Sequence, residues 1–128
     1  MNVIPKVSVV TVTYGQEDFI IETIKGVLGQ RFEGSIEYII VNDNSLDNTD
    51  EIIKNYLSRT AIPLNINVRY IRHEKNKGAI PNFFWGIQQA RGKYVALCEG
   101  DDYWTDPHKL QKQVDFLENN PDYSICFH

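Results

Sequence analysis

Short apolar runs and helically spaced apolar residues follow one another along this chain, and their alternation predicts its elements. The apolar runs predict five strands, over Lys6–Thr13, Ile36–Val41, Asn65–Ile71, Lys93–Cys98 and Tyr123–Phe127. The segments between them repeat apolar residues every three or four positions, which predicts four amphipathic helices. Strand and helix in strict alternation favour an α/β fold, a mostly parallel sheet with helices on both faces.

The predicted helices have recognisable starts and inward faces. The first covers Glu17–Gln30, with acidic residues in its first turn, where the helix dipole favours anions. Asn48 begins a capping-box-like sequence, Pro81 suits a first helical turn, and Asp106-Pro107 resembles an N-cap followed by the first helical residue. The residues expected to face the core are Ile20, Ile24, Val27, Leu28, Ile52, Ile53, Tyr56, Leu57, Ile80, Phe83, Phe84, Ile87, Leu110, Val114 and Leu117.

Length and composition place these elements in one domain, residues 1–128. A chain of 128 residues with 42% hydrophobic residues is long enough to bury its own core. It ends at His128, inside or just after a predicted strand, so we expect a fragment of a longer protein.

Charge and cysteine usage narrow the class of function. A net charge of −4 argues against a nucleic-acid binder that relies on a basic patch. Cys98 and Cys126 fit no CxxC motif and are interpreted as buried, reduced thiols. No signal sequence or membrane span is predicted, so we expect a cytoplasmic chain.

The most informative segment is the acidic turn Glu99-Gly100-Asp101-Asp102, directly after the fourth predicted strand. Two like charges about 4 Å apart repel by roughly 4 kcal/mol at an effective dielectric near 20. Such a turn therefore lies in open water or holds a cation. Mg²⁺ often binds one or two carboxylates together with substrate phosphates. The turn predicts metal-assisted chemistry on a phosphorylated substrate, with a solvated acidic turn as the alternative.

Polar residues also follow the first and second predicted strands, in Thr13-Tyr14-Gly15 and Asn42-Asp43-Asn44-Ser45. Ligands of open α/β sheets bind beyond the carboxyl ends of the strands, where these residues would meet. Asp43 can accept the N3–H of a pyrimidine, which selects uracil or thymine over adenine. A turn or cap is the alternative for this residue.

Other residues leave two interpretations open. Asn76-Lys77-Gly78 is either a loop bordering a nucleotide or a plain turn, and Tyr103 and Trp104 are more readily packing residues than stacking platforms. The chain has no GxGxxG, P-loop, HExxH or GxSxG sequence, so dinucleotide binding, P-loop chemistry and a hydrolase triad are not supported.

Three segments resemble family 2 glycosyltransferases and their Rossmann-like GT-A nucleotide-diphospho-sugar transferase fold. They are Val7–Gly15, Glu37–Ser45 with Asp47 and Thr49, and Ala90–Tyr94 leading to Asp101-Asp102. The resemblance runs from about Lys6 to His128, with matching order and spacing.

The resemblance implies a role for each matching residue. Thr13, Tyr14 and Glu17 would line the nucleotide pocket, and Asp43 would contact the uracil or a related base. Lys77 and Gly78 would border the nucleotide. Asp101 and Asp102 would hold the diphosphate through Mg²⁺ or Mn²⁺, with Asp102 as the direct ligand and Asp101 nearer the ribose or sugar.

Some positions depart from the family pattern. Asn42 stands where the family has an acidic residue, so Asp43 alone can fill that role, and Glu99 replaces a frequent Asp. Phe83-Phe84 occupies the place of an Arg-Asn pair, which leaves Lys77 or Arg72 as the candidate cation for the nucleotide.

The expected activity is transfer of a sugar from a nucleotide diphosphate donor, a UDP-sugar, to an acceptor hydroxyl with inversion. The acceptor would be a glycan or a lipid-linked molecule in cell-surface polysaccharide synthesis, and the full protein would lie at the inner face of the membrane. No carboxylate after Asp106 suits the catalytic base, so we expect the base beyond His128 and an inactive fragment. A metal-dependent nucleotidyltransferase and a non-catalytic receiver or interaction domain are the alternatives.

Overall fold

Strands and helices alternate strictly in the structure, a computed structural model that describes residues 4–122. The strands are β1 (Val7–Thr13), β2 (Ile36–Asn42), β3 (Ile66–Arg72) and β4 (Tyr94–Glu99). The helices are α1 (Ile20–Leu28), α2 (Thr49–Arg59), α3 (Ala79–Gln89) and α4 (Lys109–Asn119). The predicted strand Tyr123–Phe127 and the thiol of Cys126 lie outside the described residues.

The four strands form one parallel sheet in the order β3-β2-β1-β4, which confirms the predicted α/β fold. The chain builds outward from β1 through β2 to β3 and then returns to pair β4 with the other side of β1. The strand order therefore reverses beside β1. Open α/β sheets bind ligands at such a reversal, beyond the carboxyl ends of the strands.

One face of the sheet carries the larger core. Residues of α1, α2 and α4, among them Ile24, Ile53 and Leu110, are completely or almost completely buried there against Val9 and Tyr38. All seven residues of β1 and all seven of β2 are buried, as expected for central strands covered on both faces.

Helix α3 alone covers the other face among the described elements, and its inward side differs from the prediction. Ile80 and Phe84 are 70% and 64% exposed, whereas Asn82 and Gly86 are buried. The helix lies close to the sheet, because a Cβ on Gly86 would come within 2.7 Å of Val10 Cγ1. Close approach favours small residues at the contact, and Phe83 and Trp85 pack beside it. Helical spacing of apolar residues therefore predicted Phe83 correctly and missed Asn82 and Gly86.

Three predicted helix starts are also corrected. Helix α1 begins at Ile20, because the residues from Glu17 form a turn closed on the Gln16 carbonyl. The Asn48 side chain makes no capping bond, and Asp47 Oδ1 instead accepts from the Thr49 N–H at 3.1 Å. Likewise Asp106 closes a turn ahead of α4, so the helix begins at Lys109.

A buried ion cluster joins the amino ends of the strands. The carboxylate of Glu37, 1% exposed, accepts from Ser8 Oγ at 2.9 Å and from Arg91 Nε at 2.8 Å, and pairs with Arg69 at 3.3 Å. Burial raises the pKa of Glu37, but hydrogen bonds from Arg91 and Ser8 outweigh it and leave that pKa below its usual value. The cluster ties the segment after α3 to β1 and β2.

None of the helices within residues 4–122 is long and apolar enough to cross a membrane.

Candidate functional site

A cavity of about 360 Å³ opens where the carboxyl ends of β1 and β2 meet the start of α3. It is lined by Val12, Thr13, Tyr14, Gln16, Asp43, Asn76, Gly78, Ala79, Asn82, Phe83 and Glu99. Polar groups lie beside apolar side chains in this lining, an arrangement typical of small-molecule sites.

Asp43 is the buried carboxylate of the cavity. It directly follows β2, is 3% exposed, and its two carboxylate oxygens accept the Lys77 N–H at 2.7 Å and the Gly78 N–H at 2.9 Å. The Asn76 amide also donates to its backbone carbonyl at 3.0 Å. An ionised carboxylate offers about four acceptor positions. The loop bonds therefore hold Asp43 in place and leave it free to accept a further hydrogen bond.

Gly78 allows the loop to close over Asp43. Its φ of 91° lies in the region that side chains disfavour, and it is followed at once by α3. The Asn76 side chain accepts the Gly78 N–H at 3.1 Å, which tightens the same turn.

The end of β1 and the acidic turn meet beneath the cavity. Thr13 Oγ1 donates to Gln16 Oε1 at 2.7 Å. Gly100 packs directly on this pair, because a Cβ there would lie 2.7 Å from Thr13 Cβ. The backbone contact places Glu99 in the lining, so the start of the acidic turn borders the cavity.

A chain of hydrogen bonds fixes the loop after β2. The Gly15 N–H donates to Ser45 Oγ at 2.9 Å, and Ser45 Oγ donates to Asn42 Oδ1 at 2.6 Å. The Asn42 amide donates to Tyr70, whose hydroxyl donates to Asp50 at 2.6 Å. Asn42 therefore orders the rim of the cavity, although it lies outside the lining.

Glu17 takes a structural position next to the cavity. Its carboxylate accepts the Asn48 N–H at 3.2 Å, while its own N–H donates to Asp47 Oδ2 at 3.4 Å. Burial raises the pKa of Asp47, but hydrogen bonds from Thr49 and the Glu17 N–H outweigh it and lower that pKa. The reciprocal pair joins the loops that follow β1 and β2.

The rest of the acidic turn lies outside the lining of the first cavity. Asp101 and Asp102 are exposed, and Asp102 lines a second cavity of about 180 Å³ with Trp104 and Lys109. Burial lowers the pKa of the Lys109 ammonium, which lies 4.4 Å from the centre of the Trp104 ring. Within residues 4–122, no three His, Cys, Asp or Glu side chains form a group able to hold a metal.

The two aspartates nevertheless fit one mode of metal binding. Among the ion pairs of the described residues, none involves Asp101 or Asp102. Two exposed carboxylates that make no direct ion pair suit a divalent ion that takes its other ligands from phosphates and water.

The structure thus brings four of the predicted residues together in the first cavity: Thr13, Tyr14, Asp43 and Gly78. Glu17, Lys77, Asp101 and Asp102 lie outside that lining, and Lys77 contributes its backbone to Asp43. The loops bearing Asp43 and Asp102 were expected to meet in one cleft, and both reach the first cavity, since Asp43 and Glu99 line it. The Asp102 side chain itself lines the second cavity.

Sequence reasoning missed the contributions of Gln16, Asn82 and the ring of Phe83 to this cavity. Nothing in the sequence pattern pointed to Gln16. Asn82 could have been found, because it is an amide four residues before Gly86 in an apolar helix, and residues at that spacing share one helix face.

The sequence model of glycosyl transferase family 2 matches residues 8–128. This chain belongs to that family. It is 38% identical over 113 residues to a putative teichuronic acid biosynthesis glycosyltransferase, TuaG, of Bacillus subtilis, covering 88% of this chain and 42% of that protein. An uncharacterized protein of Mycobacterium tuberculosis is 45% identical over 121 residues, which cover 94% of this chain and 34% of that protein.

Solved structures of glycosyltransferases share the fold. TarS of S. aureus, residues 1–349 in complex with UDP, superposes with a TM-score of 0.74 at 27% identity, covering 91% of this chain and 33% of that one. The mannosyltransferase PcManGT of Pyrobaculum calidifontis, in complex with GDP-Man and Mn²⁺, has a TM-score of 0.78 at 19% identity, with coverages of 88% and 32%. This family 2 domain therefore has the GT-A architecture, and it spans about a third to two fifths of these proteins. The nucleotidyltransferase and receiver interpretations receive no support.

Proposed function

We propose that this family 2 domain binds the nucleotide diphosphate sugar donor of a glycosyltransferase in the cavity beside Asp43. The base would lie against Asp43, and the diphosphate would extend toward the acidic turn. The expected donor is a UDP-sugar. The observation that carries the proposal is a buried carboxylate, ordered by two backbone N–H groups, at the carboxyl end of β2, on the edge of the sheet where such folds bind ligands.

The relatives support this assignment. TarS has been solved in complex with UDP and with UDP-GlcNAc, and PcManGT with GDP-Man, so nucleotide sugars occupy proteins of this fold. The exposed side chain of Tyr14, at the mouth of the cavity, is available for stacking against a base or ribose.

The diphosphate would be bound with the help of Mg²⁺ or Mn²⁺ held by Asp102 and Asp101. When bound, the cation supplies Lewis-acid stabilisation of the charge that grows on the departing diphosphate. The Mn²⁺ in the PcManGT complex supports this cofactor. Asp102 is the favoured direct ligand because its neighbour, Tyr103, fixes its carboxylate through an N–H bond of 2.9 Å.

The sugar would be transferred with inversion to an acceptor hydroxyl. A carboxylate outside these 128 residues would deprotonate that hydroxyl. The acceptor would be a glycan or a lipid-linked molecule in cell-surface polysaccharide synthesis. The similarity to TuaG, a putative teichuronic acid biosynthesis glycosyltransferase, supports this assignment. We propose that the 128-residue domain alone binds donor weakly and does not turn it over. In the whole protein it would act on the cytoplasmic side of the membrane.

Titration calorimetry with UDP tests the proposal. UDP should bind in the presence of Mg²⁺ or Mn²⁺, and Asp102→Ala should weaken that binding at least tenfold. Asp115→Ala, which removes an exposed carboxylate from α4, is the matched control and should leave the affinity unchanged. Equal UDP affinity with and without metal would refute the role of the cation. Failure of both UDP and GDP to bind would refute donor binding itself.

A further inference from the structure

We propose that Asn82, held in place by His73, reads the base of the nucleotide together with Asp43. The pair would select bases that present an adjacent N–H and C=O, namely uracil or guanine, over cytosine and adenine. This inference rests on the proposed function and adds to it the residues that determine base specificity.

His73 is fixed at the end of β3 by its backbone and by packing. Its N–H donates to the Asn42 carbonyl at 2.9 Å, which extends the sheet by one residue. The imidazole is 8% exposed and meets the Trp85 ring edge-on, with centroids 4.6 Å apart. A side chain enclosed in this way has little freedom to turn, so it can orient a neighbour.

That neighbour is Asn82. The distance from His73 Nε2 to Asn82 Oδ1 is 2.7 Å, and Asn82 is 1% exposed. A buried amide is costly unless its polar atoms find partners. With the imidazole proton on Nε2, His73 donates to Oδ1 and leaves the two N–H groups of the amide for the cavity that Asn82 lines.

The cavity lining then contains both a donor and an acceptor. Asn82 supplies the donor, and the Asp43 carboxylate supplies the acceptor. Uracil offers N3–H next to a carbonyl oxygen, and guanine offers N1–H next to one, so both match this pair. Cytosine and adenine instead present an unprotonated ring nitrogen to Asp43 and an amino group to Asn82. An acceptor would then face an acceptor, and a donor would face a donor. Phe83 and Val12 supply apolar surface for the ring in the same lining.

The test compares nucleotides of equal size by titration calorimetry with the 128-residue protein in the presence of Mg²⁺. The unaltered protein should bind UDP at least tenfold more tightly than CDP, and GDP more tightly than ADP. Asn82→Ala should reduce the UDP-to-CDP preference at least threefold and leave the part that Asp43 supplies. Gln88→Ala removes an exposed amide from the same helix and should leave the preference intact. The stronger of UDP and GDP identifies which of the two bases is the natural one.

Variants of His73 separate positioning from general stability. His73→Ala should reduce the preference as Asn82→Ala does, and the double variant should show no further loss. His73→Gln, whose amide can still donate to Asn82, should restore most of the preference. A purely structural role would lower thermal stability in both His73 variants and leave the nucleotide ratio unchanged.

A measurement on the unaltered protein guards against a variant that does not fold. The side-chain NH₂ signals of Asn82 in a ¹H–¹⁵N spectrum should shift on addition of UDP and much less with CDP. Unshifted Asn82 signals, or a UDP-to-CDP preference that survives undiminished in Asn82→Ala, would overturn this inference and leave donor binding standing. If no nucleotide binds to the unaltered protein, both proposals fail.

Discussion

The carboxylates at the two ends of the sheet have opposite surroundings. At the amino ends, Glu37 is buried and neutralised by Arg91 and Arg69. At the carboxyl ends, Asp43 receives only backbone N–H groups, and Asp102 lies exposed and makes no direct ion pair among the described residues. A carboxylate whose charge is already matched contributes to stability, whereas one without a matching cation can still interact with a ligand. The amino ends therefore hold the fold and the carboxyl ends form the site.

The largest expected effect comes from breaking the amino-end cluster. Glu37→Ala should lower the free energy of unfolding by about 1.5 to 3 kcal/mol, because the charged hydrogen bonds to Ser8 and Arg91 are lost while the arginines remain partly solvated. Urea denaturation followed by circular dichroism measures it. Glu22→Ala, on the exposed side of α1, should change the free energy by less than about 0.5 kcal/mol. A loss below about 1 kcal/mol for Glu37→Ala would mean that the cluster is not a stabilising anchor.

The matching change at the carboxyl ends should act mainly on binding. Asp43→Asn keeps the size of the side chain but removes its charge and one acceptor, so UDP affinity should fall about 10- to 100-fold, or about 1.4 to 2.8 kcal/mol. Calorimetry measures the affinity, and urea denaturation measures the smaller loss of stability. The control is Asp18→Asn, an exposed aspartate ahead of α1. If stability falls more than affinity, Asp43 belongs with Glu37 as a structural carboxylate.

Acid should weaken the amino-end cluster in a defined pH range. Because the pKa of Glu37 lies below its usual value of 4.5 in the folded protein, its stabilising contribution is complete above that value. It is lost as the pH falls through the lowered pKa, with about 1.4 kcal/mol for each unit of difference between the folded and unfolded pKa. The free energy of unfolding, measured at several values from pH 7 to pH 3, should therefore fall less steeply for Glu37→Gln than for the unaltered protein. Parallel curves would place the acid sensitivity elsewhere, for example at Asp50, whose pKa is also lowered.

The smallest effect on stability is expected at the acidic turn. Replacing Asp101 and Asp102 together by Asn removes repulsion between exposed charges, so the free energy of unfolding should change by less than about 0.5 kcal/mol. The same double variant should lose the metal dependence of UDP binding. Thermal denaturation with and without Mg²⁺ measures the change in stability, and calorimetry measures the metal dependence of UDP binding. A large loss of stability would show that these side chains are structural, like Glu37.

The sequence alone determined the class of the fold and the edge of the sheet that carries the site. Apolar runs and helical spacing indicate which residues of each element are buried, because burial follows the local periodicity of the chain. The carboxyl ends of parallel strands always meet at one edge of the sheet. Thr13 and Asp43 could be placed at that edge because Thr13 ends one strand and Asp43 directly follows another.

Tertiary packing decided the inward face of α3 and the membership of the cavity. Phe84 turns outward and Asn82 inward because Gly86 lets the helix approach Val10, a contact between segments far apart in the chain. The bond between His73 and Asn82, and the division of the acidic turn between two cavities, likewise depend on how separate elements meet. Periodicity within one segment carries no information about that distance, so only the folded chain could reveal which polar groups face the same space.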